Sequence, residues 1–469
     1  MAQDTARQEA RRQMMLHEPV GKVIFKMAIP TIIAFLINSI YSLADTWFVS
    51  GLGTNATAAV SVNASLDQLI MMCGSMLAVG ANSYIARLLG QGNDKKASQV
   101  LSTAFWIATA LGLLLTIFGN LFMEGMVILL GATETCMQYS IDYATYVLFA
   151  APFMATSFVM NQCLRSEGSA TLSMIGMGFG GILNCFLDPI FIQGIPAWGI
   201  PAMGVAGASL ATMISKIVSF CILIFPYVTR KSLLRLSIRN FCPSWDIISK
   251  IVSVGSSSMF RSGLAVVAGI VLNDLAGNIS DSVLAGIGVC TKVMMFPFSI
   301  ILGFGTGFQP VAGFNWGAKR YDRVMDSYRY ASRMAVLGSA AMAALLGIFA
   351  KPIITAFAGD DPQMQEIGAL CIRLQCIALP IHAWVALVNM LCAGLGNAGG
   401  ALALATARQG TCMLPIVHLL AYLLGAYGIA SVQAIADVLS LALAIPICLY
   451  MMKKIRTAQQ TMEAAAEPQ

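Results

Sequence analysis

Twelve long apolar runs follow one another along this chain of 469 residues. A helix that crosses a bilayer needs about 20 mostly apolar residues. A transmembrane barrel is excluded, because its strands show short alternating segments instead of continuous apolar stretches. The sequence therefore predicts an all-α integral membrane protein with twelve transmembrane helices, or ten if two runs are re-entrant. The predicted spans cover residues 24–49, 59–86, 101–123, 140–164, 169–192, 202–228, 248–273, 284–314, 331–357, 366–393, 399–423 and 427–452.

The composition supports a membrane location. Hydrophobic residues make up 58% of the chain and charged residues 11%, whereas a soluble protein carries about 25% charged residues. This balance excludes a soluble enzyme, a disordered protein and a nucleic-acid-binding domain as the main body. The 12 Cys stand singly without a C-x-x-C pair, and the three His lack a metal-ligand spacing. We therefore expect no metal-dependent active site, no cofactor and no enzymatic activity.

Basic residues between the apolar runs predict the topology. Lys and Arg precede the first run and follow runs two, four, six, eight and twelve, whereas the alternate connections hold only Lys351. By the positive-inside rule both termini are cytoplasmic, as in a multi-pass protein of the inner (plasma) membrane. The predicted domains are a tail at 1–22, a six-helix lobe at 23–228, a cytoplasmic linker at 229–247, a six-helix lobe at 248–452 and a tail at 453–469.

The two halves match each other at a nearly constant offset. Residues 60–104 align without gaps on 287–331. Further on, Pro152, Asn161 and Gly168 meet Pro380, Asn389 and Gly396 at an offset of 228. Two halves of six helices enter the membrane from the same side, so a pseudo-two-fold axis along the membrane normal would relate the lobes. Such lobes enclose a central cavity and can alternate access by rocking; chance similarity between two apolar sequences is the alternative.

Polar residues inside the predicted spans of the first half suggest a cation site. A charged side chain at the bilayer centre costs about 2.5–3.5 kcal/mol. Asn184 and Asp188 lie one turn apart on one helix face, next to Pro189, whose ring frees a backbone carbonyl. These oxygens are suited to H⁺ or a dehydrated Na⁺, and Asp45 lies on one face of the first helix with Asn38. The alternatives are interhelical packing for Asp188 and an interfacial position for Asp45.

The second half carries a different polar set. Arg261 lies in the middle of the seventh span, and Asp437 lies near the place that the repeat gives to Thr212. Hydrogen bonding between helices is the alternative explanation for these residues, above all for the amides. The candidates to line a substrate cavity are Asn38, Arg261, Gln375, His382, Asn389 and Asp437.

Several longer segments resemble one transporter family. They are P-x14-D-T-W-F-V-S-G-L-G-T from Pro30, L-R-S-E-G-S-A-T at 164–171, G-I-L-N-C-F-L-D-P-I-F-I at 181–192, G-V-A-G-A-S-L-A-T at 204–212 and G-F-G-T-G-F-Q-P-V-A-G-F-N-W-G-A-K-R-Y-D-R-V at 303–324. Over nearly its full length the chain resembles the multidrug and toxic compound extrusion (MATE) transporters, most of all the branch of DNA-damage-inducible protein F. The resemblance implies a V-shaped fold of twelve helices in two lobes.

The resemblance also implies a function and a site. MATE transporters export organic cations in exchange for Na⁺ or H⁺, so we expect a monomer in the lipid bilayer that acts on small organic compounds. Carried over by position, the family's cation site falls on Asp45, Asn184, Asp188 and Thr212, and a Na⁺ ion would lie at the first three. Members with an acidic site on helix seven differ from this chain, which has Arg261 there. The sequence does not choose between Na⁺ and H⁺.

Two other functions fit part of the pattern. A flippase for a lipid-linked precursor would have similar lobes, but it would need a cationic cavity for pyrophosphate, for which Arg261 and Arg373 are the candidates. A membrane subunit or receptor that transports nothing would leave the repeat and the carboxylate–amide pair unexplained. We therefore expect a multidrug efflux antiporter, in which the ion neutralises the acidic site and changes the packing of helix one.

Overall fold

The computed structural model describes residues 2–195, 199, 201–359 and 361–466. Within these residues the chain consists of helices and connecting segments, as predicted for an all-α membrane protein. Lipid offers the backbone no hydrogen-bond partners, so apolar runs of this length satisfy their own N–H and C=O groups by forming helices. In chain order the helices are α1 (Ala2–His17), α2 (Val20–Ser50), α3 (Thr54–Gly90), α4 (Asp94–Leu121), α5 (Met123–Leu129), α6 (Met137–Ser166), α7 (Ala170–Gln193), α8 (Val205–Val228), a 3₁₀ turn (Ile238–Asn240), α9 (Trp245–Gly277), α10 (Asp281–Gly317), α11 (Tyr321–Ala358), α12 (Pro362–Leu395), α13 (Ala398–Thr406), a π-helical turn (Ala407–Cys412), α14 (Met413–Leu424) and α15 (Ala426–Ala466).

Eleven of the described helices are long and apolar enough to cross a membrane. The remaining predicted span, at 399–423, falls on α13, the π-helical turn Ala407–Cys412 and α14, which follow one another without a break. Each piece alone is too short to span a bilayer. Counted together they complete the twelve predicted spans. A π-helical turn inside an α-helix is uncommon and often marks a functional site.

The described chain forms two compact units. Unit one comprises the residues up to Gln13 and Ile33–Gly255, and unit two comprises Met14–Ile32 and the residues from Ser256 onward. The three boundaries therefore lie inside α1, α2 and α9. The first turns of α2 pack in unit two, and the first turns of α9 pack in unit one. The lobes predicted at 23–228 and 248–452 are each continuous in the chain. They place the first turns of α2 in the first lobe and the first turns of α9 in the second.

Each unit packs its helices in the same order. In unit one α6 is central and packs against α3, α4 and α8, and in unit two α12 is central and packs against α10, α11 and α15. One hydrogen bond also occurs at equivalent positions in both units. The Asn161 side-chain amide donates to the carbonyl of Ser173 at 3.1 Å, and the Asn389 amide donates to the carbonyl of Ala401 at 2.7 Å. Both partners are shifted by 228 residues, so the packing repeats as the sequence does.

Two glycines allow α9 to begin directly against α3 in unit one. A Cβ atom on Gly80 of α3 would collide with the backbone carbonyl of Ile251, and a Cβ atom on Gly255 of α9 would collide with the backbone carbonyl of Met76. Small residues let membrane helices approach backbone to backbone, where van der Waals packing is strongest. The crossing of α3 and α9 therefore depends on the absence of a side chain at both positions.

A buried carboxylate holds the segment between α8 and α9. Glu167, in the turn between α6 and α7, accepts hydrogen bonds from the Ser232 hydroxyl at 2.8 Å and the backbone N–H of Leu233 at 2.7 Å. Arg11 forms an ion pair with its other oxygen at 3.4 Å. Burial raises the pKa of the Glu167 carboxyl, while Arg11 and the hydrogen bonds lower it. This acid of the L-R-S-E-G-S-A-T segment thus fixes the start of the predicted linker.

Replacing Glu167 with Ala is expected to release this segment. The donors of Ser232 and Leu233 would lose their acceptor, and a buried donor without a partner costs about 1–3 kcal/mol. Trypsin should therefore cut the detergent-solubilised variant within 229–247 faster than it cuts the wild type. Glu124→Ala, which removes an exposed acid from α5, is the control. Equal cleavage rates for all three proteins would contradict the assigned role of Glu167.

Candidate functional site

An amide and a carboxylate lie one turn apart in unit one. Asn184 and Asp188 are both buried on α7. The Asn184 Nδ2 atom donates to Asp188 Oδ1 at 3.2 Å and to the hydroxyl of Thr212 on α8, also at 3.2 Å. Three of the four residues predicted for the cation site therefore meet around one amide group.

Two further carboxylates act on the same place from α2 and α3. Asp45 interacts electrostatically with Asp188, and it also interacts with Asp67. The prediction from the sequence contains Asp45 but misses Asp67. The signal was present, because Asp67 lies inside the apolar run 59–86, and a carboxylate inside such a run was the reason for choosing Asp188.

Several buried oxygen atoms here receive no hydrogen bond from the part of the chain that the structure describes. They are Asp45 Oδ1, Asp67 Oδ1, Asn184 Oδ1 and Asp188 Oδ2. An ionised carboxylate can only accept hydrogen bonds, and burying one without a partner is costly. A cation or a proton supplies the missing partner. We call Asp45, Asp67, Asn184, Asp188 and Thr212 the unit-one acid cluster.

One ammonium group lies beside the acid cluster. Lys216 of α8 interacts electrostatically with Asp67 and Asp45, and its Nζ atom lies 5.0 Å from the centre of the Tyr41 ring. From the sequence alone Lys216 has no assigned role, because a lysine stem can reach the membrane surface. Three carboxylates against one ammonium leave this region of unit one with an excess of negative charge.

Lys216 also lines an open cavity of about 550 Å³, which we call the unit-one cavity. Asn38, the predicted cavity residue of the first half, and Asn161 line it as well. The rest of its wall is mostly apolar and includes Met71 and Met154. Unit one therefore combines an acidic cluster with a cavity whose wall is partly apolar and partly polar.

A paired carboxylate characterises unit two. Asp437 of α15 is buried. Arg408, in the π-helical turn, donates from Nε to Asp437 Oδ1 at 2.7 Å and from a terminal nitrogen to Oδ2 at 3.3 Å. The Nδ1 atom of His382 lies 3.4 Å from the same Oδ1 atom. This carboxylate is thus compensated by protein groups, in contrast to those of the acid cluster.

These groups line an open cavity of about 790 Å³, which we call the unit-two cavity. The Arg408 guanidinium carbon lies 4.4 Å from the centre of the Phe298 ring, over its face. Four of the predicted cavity residues line this space together: Arg261, His382, Asn389 and Asp437. The structure thus divides the six candidates, since Asn38 lies at the unit-one cavity.

Gln375 and Arg408 are the two departures from the predicted cavity. The Gln375 amide donates to the sulfur atoms of Cys290 and Cys371 at 3.5 and 3.4 Å, and it does not line the unit-two cavity. Its seven-residue spacing from His382 places it two turns away, where the helix is packed. Arg408 was missed, although it is a charged residue inside the predicted span 399–423.

Among the described residues, no three or more His, Cys, Asp or Glu side chains are placed to hold one metal ion. The carboxylates of the acid cluster are therefore neighbours that influence one another, and not ligands that already converge on a point. The Na⁺ position predicted at Asp45, Asn184 and Asp188 would rely on amide and hydroxyl oxygens as well. It stays a prediction.

Comparison with known proteins identifies the family of this chain. The MatE family model matches residues 30–190 and 258–417. These blocks cover more than half of the chain, one in each half of the repeat. The chain belongs to the MATE family. The resemblance inferred from the sequence segments is thereby confirmed, while the branch of DNA-damage-inducible protein F stays a prediction.

Two relatives and one solved structure illustrate the similarity to this MATE protein. The multidrug export protein MepA of Staphylococcus haemolyticus is 25% identical over 420 residues, which cover 89% of this chain and 91% of MepA. A protein named FAD transporter from Shewanella oneidensis is 26% identical over 431 residues, which cover 91% of this chain and 94% of the relative. A structure described as the outward-facing conformation of a multidrug resistance MATE family transporter matches with a TM-score of 0.88 and 25% identity, covering 96% of this chain and 98% of the other.

Membership fixes the general class of the protein. MATE proteins are transporters and not enzymes, and the apolar helices make this one a multi-pass membrane protein. The twelve helices in two lobes predicted from the sequence agree with the family fold. The roles of the individual site residues, the coupling ion and the substrate are not decided by membership.

Proposed function

We propose that this MATE protein exports small organic compounds in exchange for a cation, H⁺ or Na⁺, that binds at the unit-one acid cluster. The observation that carries the proposal is the set of buried oxygen atoms, Asp188 Oδ2 among them, that receive no hydrogen bond from the described residues. Protein groups compensate Asp437 in unit two, but they leave the acid cluster short of positive charge. Lys216 supplies one positive charge, and the arriving cation supplies another.

The ion drives export through its different affinity for two conformations, since a ligand that binds both equally shifts nothing. Asp45 lies on the part of α2 that belongs to unit one, whereas the first turns of the same helix belong to unit two. Neutralising Asp45 and Asp188 removes the repulsion between their charges and changes how α2 packs. Rocking of the lobes then opens the substrate cavity to the outside.

The proposal is tested in proteoliposomes with a pH gradient and a Na⁺ gradient imposed separately. The transported probes are ethidium, an organic cation, and riboflavin 5′-phosphate, an organic anion. We expect one gradient to drive the uphill movement of at least one probe, and the reverse gradient to reverse it. If neither gradient moves either probe faster than protein-free vesicles do, the proposal is wrong.

The predicted topology and assembly belong to the same proposal. We place both termini in the cytoplasm of a cell whose inner (plasma) membrane holds the protein as a monomer. The excess of Lys and Arg in alternate connections supports this orientation.

A further inference from the structure

The unit-one cavity and the unit-two cavity occupy the same place in the internal repeat. Equivalent residues line both of them: Met71 and Phe298, Met154 and His382, Asn161 and Asn389, and Gly180 and Arg408. The first pair is separated by 227 residues and the other three pairs by 228. The recurring hydrogen bond of Asn161 and Asn389 fixes this correspondence in space. The two cavities therefore lie at equivalent positions in the two units.

The differences between the two cavities change the chemistry of the wall. Where unit one has Met154 and Gly180, unit two has His382 and Arg408, which bring ring and guanidinium N–H donors. At these two positions the wall of the unit-two cavity therefore carries N–H donors, whereas the wall of the unit-one cavity is apolar. The third pair, Asn161 and Asn389, is Asn in both units.

The charges around the unit-two cavity do not cancel. Arg408 and Asp437 neutralise each other in a two-point ion pair. Arg261 faces the same place, because His382 interacts electrostatically with Arg408, Asp437 and Arg261. A hydrogen bond from the Arg261 guanidinium reaches the Ser258 hydroxyl of its own helix at 3.2 Å. Among the described residues no carboxylate lies within ion-pair distance of Arg261, so one guanidinium charge remains in excess.

A guanidinium without a counter-charge inside a membrane protein costs free energy, and such a residue indicates an ion or substrate site. Its planar fork of N–H donors matches the oxygens of a carboxylate or a phosphate. Apart from Gln409, the remaining wall is apolar and includes Ile301, Leu302 and Val385, which suits the carbon skeleton of an organic compound. A cavity with these properties would reject an organic cation by charge repulsion at Arg261.

We propose that the unit-two cavity binds the anionic group of an amphipathic organic substrate, with Arg261 as the residue that receives the carboxylate or phosphate oxygens. This inference rests on the proposed export function and narrows its small organic compounds to amphipathic anions. The pairing of Asp437 with Arg408 keeps that acid from competing for Arg261. One unit thus holds the driving cation and the other the anionic part of the cargo.

The test compares two ligands that differ by one phosphate. Riboflavin and riboflavin 5′-phosphate are titrated into the detergent-solubilised, full-length protein, and binding is followed by the quenching of flavin fluorescence. We expect the phosphate to bind at least about tenfold more tightly than riboflavin, since a hydrogen-bonded charge contributes this much or more. Equal affinities of the two flavins for the wild type would overturn the proposal without any variant.

Variants of Arg261 locate the effect. Arg261→Gln is expected to weaken binding of riboflavin 5′-phosphate by about 10- to 100-fold and to leave riboflavin unchanged, while Arg261→Lys retains part of the preference. The control is Lys292→Gln, which removes an exposed cation from α10 outside the cavity wall and should change neither affinity. An unchanged preference in a folded Arg261→Gln protein would also overturn the assignment.

Failure of this inference and failure of the export function give different results. Flavin binding is measured without any ion gradient, and ethidium efflux is measured with one. If ethidium is exported but the two flavins bind equally, the transporter assignment stands and the anion site is wrong. If the phosphate binds selectively and no gradient moves any probe, the anion site stands and the antiport proposal is wrong.

Discussion

Replacement of Asp188 by Asn is expected to abolish ion-driven transport in a protein that still folds. The Asp188 side chain is completely buried, and its Oδ2 atom receives no hydrogen bond from the described residues. Asn has the same shape but no charge. A carboxylate about 4 Å from a monovalent cation contributes about 4 kcal/mol at an effective dielectric constant of about 20. Allowing for desolvation, we expect gradient-driven efflux to fall by at least about tenfold.

The measurement is the initial rate of probe movement in proteoliposomes, under the gradient that drives the wild type. Asp274→Asn is the matched control, because it makes the same chemical change at an exposed acid on α9. The thermal unfolding midpoint of both variants in detergent reports whether they are folded. Full gradient-driven transport by a folded Asp188→Asn protein would remove Asp188 from the cation site.

Replacement of Gly255 by Ala is expected to destabilise the protein. A Cβ atom at this position of α9 would collide with the backbone carbonyl of Met76 on α3. A backbone carbonyl cannot rotate away as a side chain can, so the two helices would have to separate. Overpacking of this kind costs about 1–3 kcal/mol and occasionally more. The measured quantity is the thermal unfolding midpoint of the solubilised protein, which should fall.

The same substitution at Gly269 should not destabilise the protein. Gly269 lies on the same helix α9, and a Cβ atom there would meet nothing within 4 Å. Ala is also the better helix former by about 1 kcal/mol, so the midpoint of Gly269→Ala should stay the same or rise. If both variants unfold at the same temperature, the close crossing of α9 and α3 does not contribute to stability as argued.

Much of the fold follows from local patterns along the chain. Each predicted span is a run of apolar residues long enough to cross a bilayer, and such a run has no stable alternative to the helix. The span at 399–423 is the instructive case. Its length and composition predicted a helix, but not the π-helical turn Ala407–Cys412 that turns Arg408 toward Asp437. No local sequence pattern predicted that the first turns of α2 pack in unit two and the first turns of α9 in unit one.

The sequence predicted part of the candidate site, because some of its residues lie on one helix whereas others come from different helices. Asn184 and Asp188 are four residues apart on one helix, so the helical period alone places them together. Asp67 and Arg408 are likewise charged residues inside predicted apolar spans. Their roles depend on partners on other helices, which the sequence alone does not identify. Gln375 lies two turns from His382 on α12 and its amide contacts Cys sulfur, so its place at a substrate cavity stays a prediction.

The sequence by itself determined the membrane environment, the twelve spans, the repeat and the one-turn pair of Asn184 and Asp188. These properties depend on composition and on the period of one helix. Only the tertiary structure decided that Lys216 lies beside Asp45, that Arg408 neutralises Asp437 and that Arg261 is left without a carboxylate partner among the described residues. The physical reason is that helix rotation and crossing are set by packing between distant segments, and buried charges acquire their roles only from the neighbours that this packing supplies.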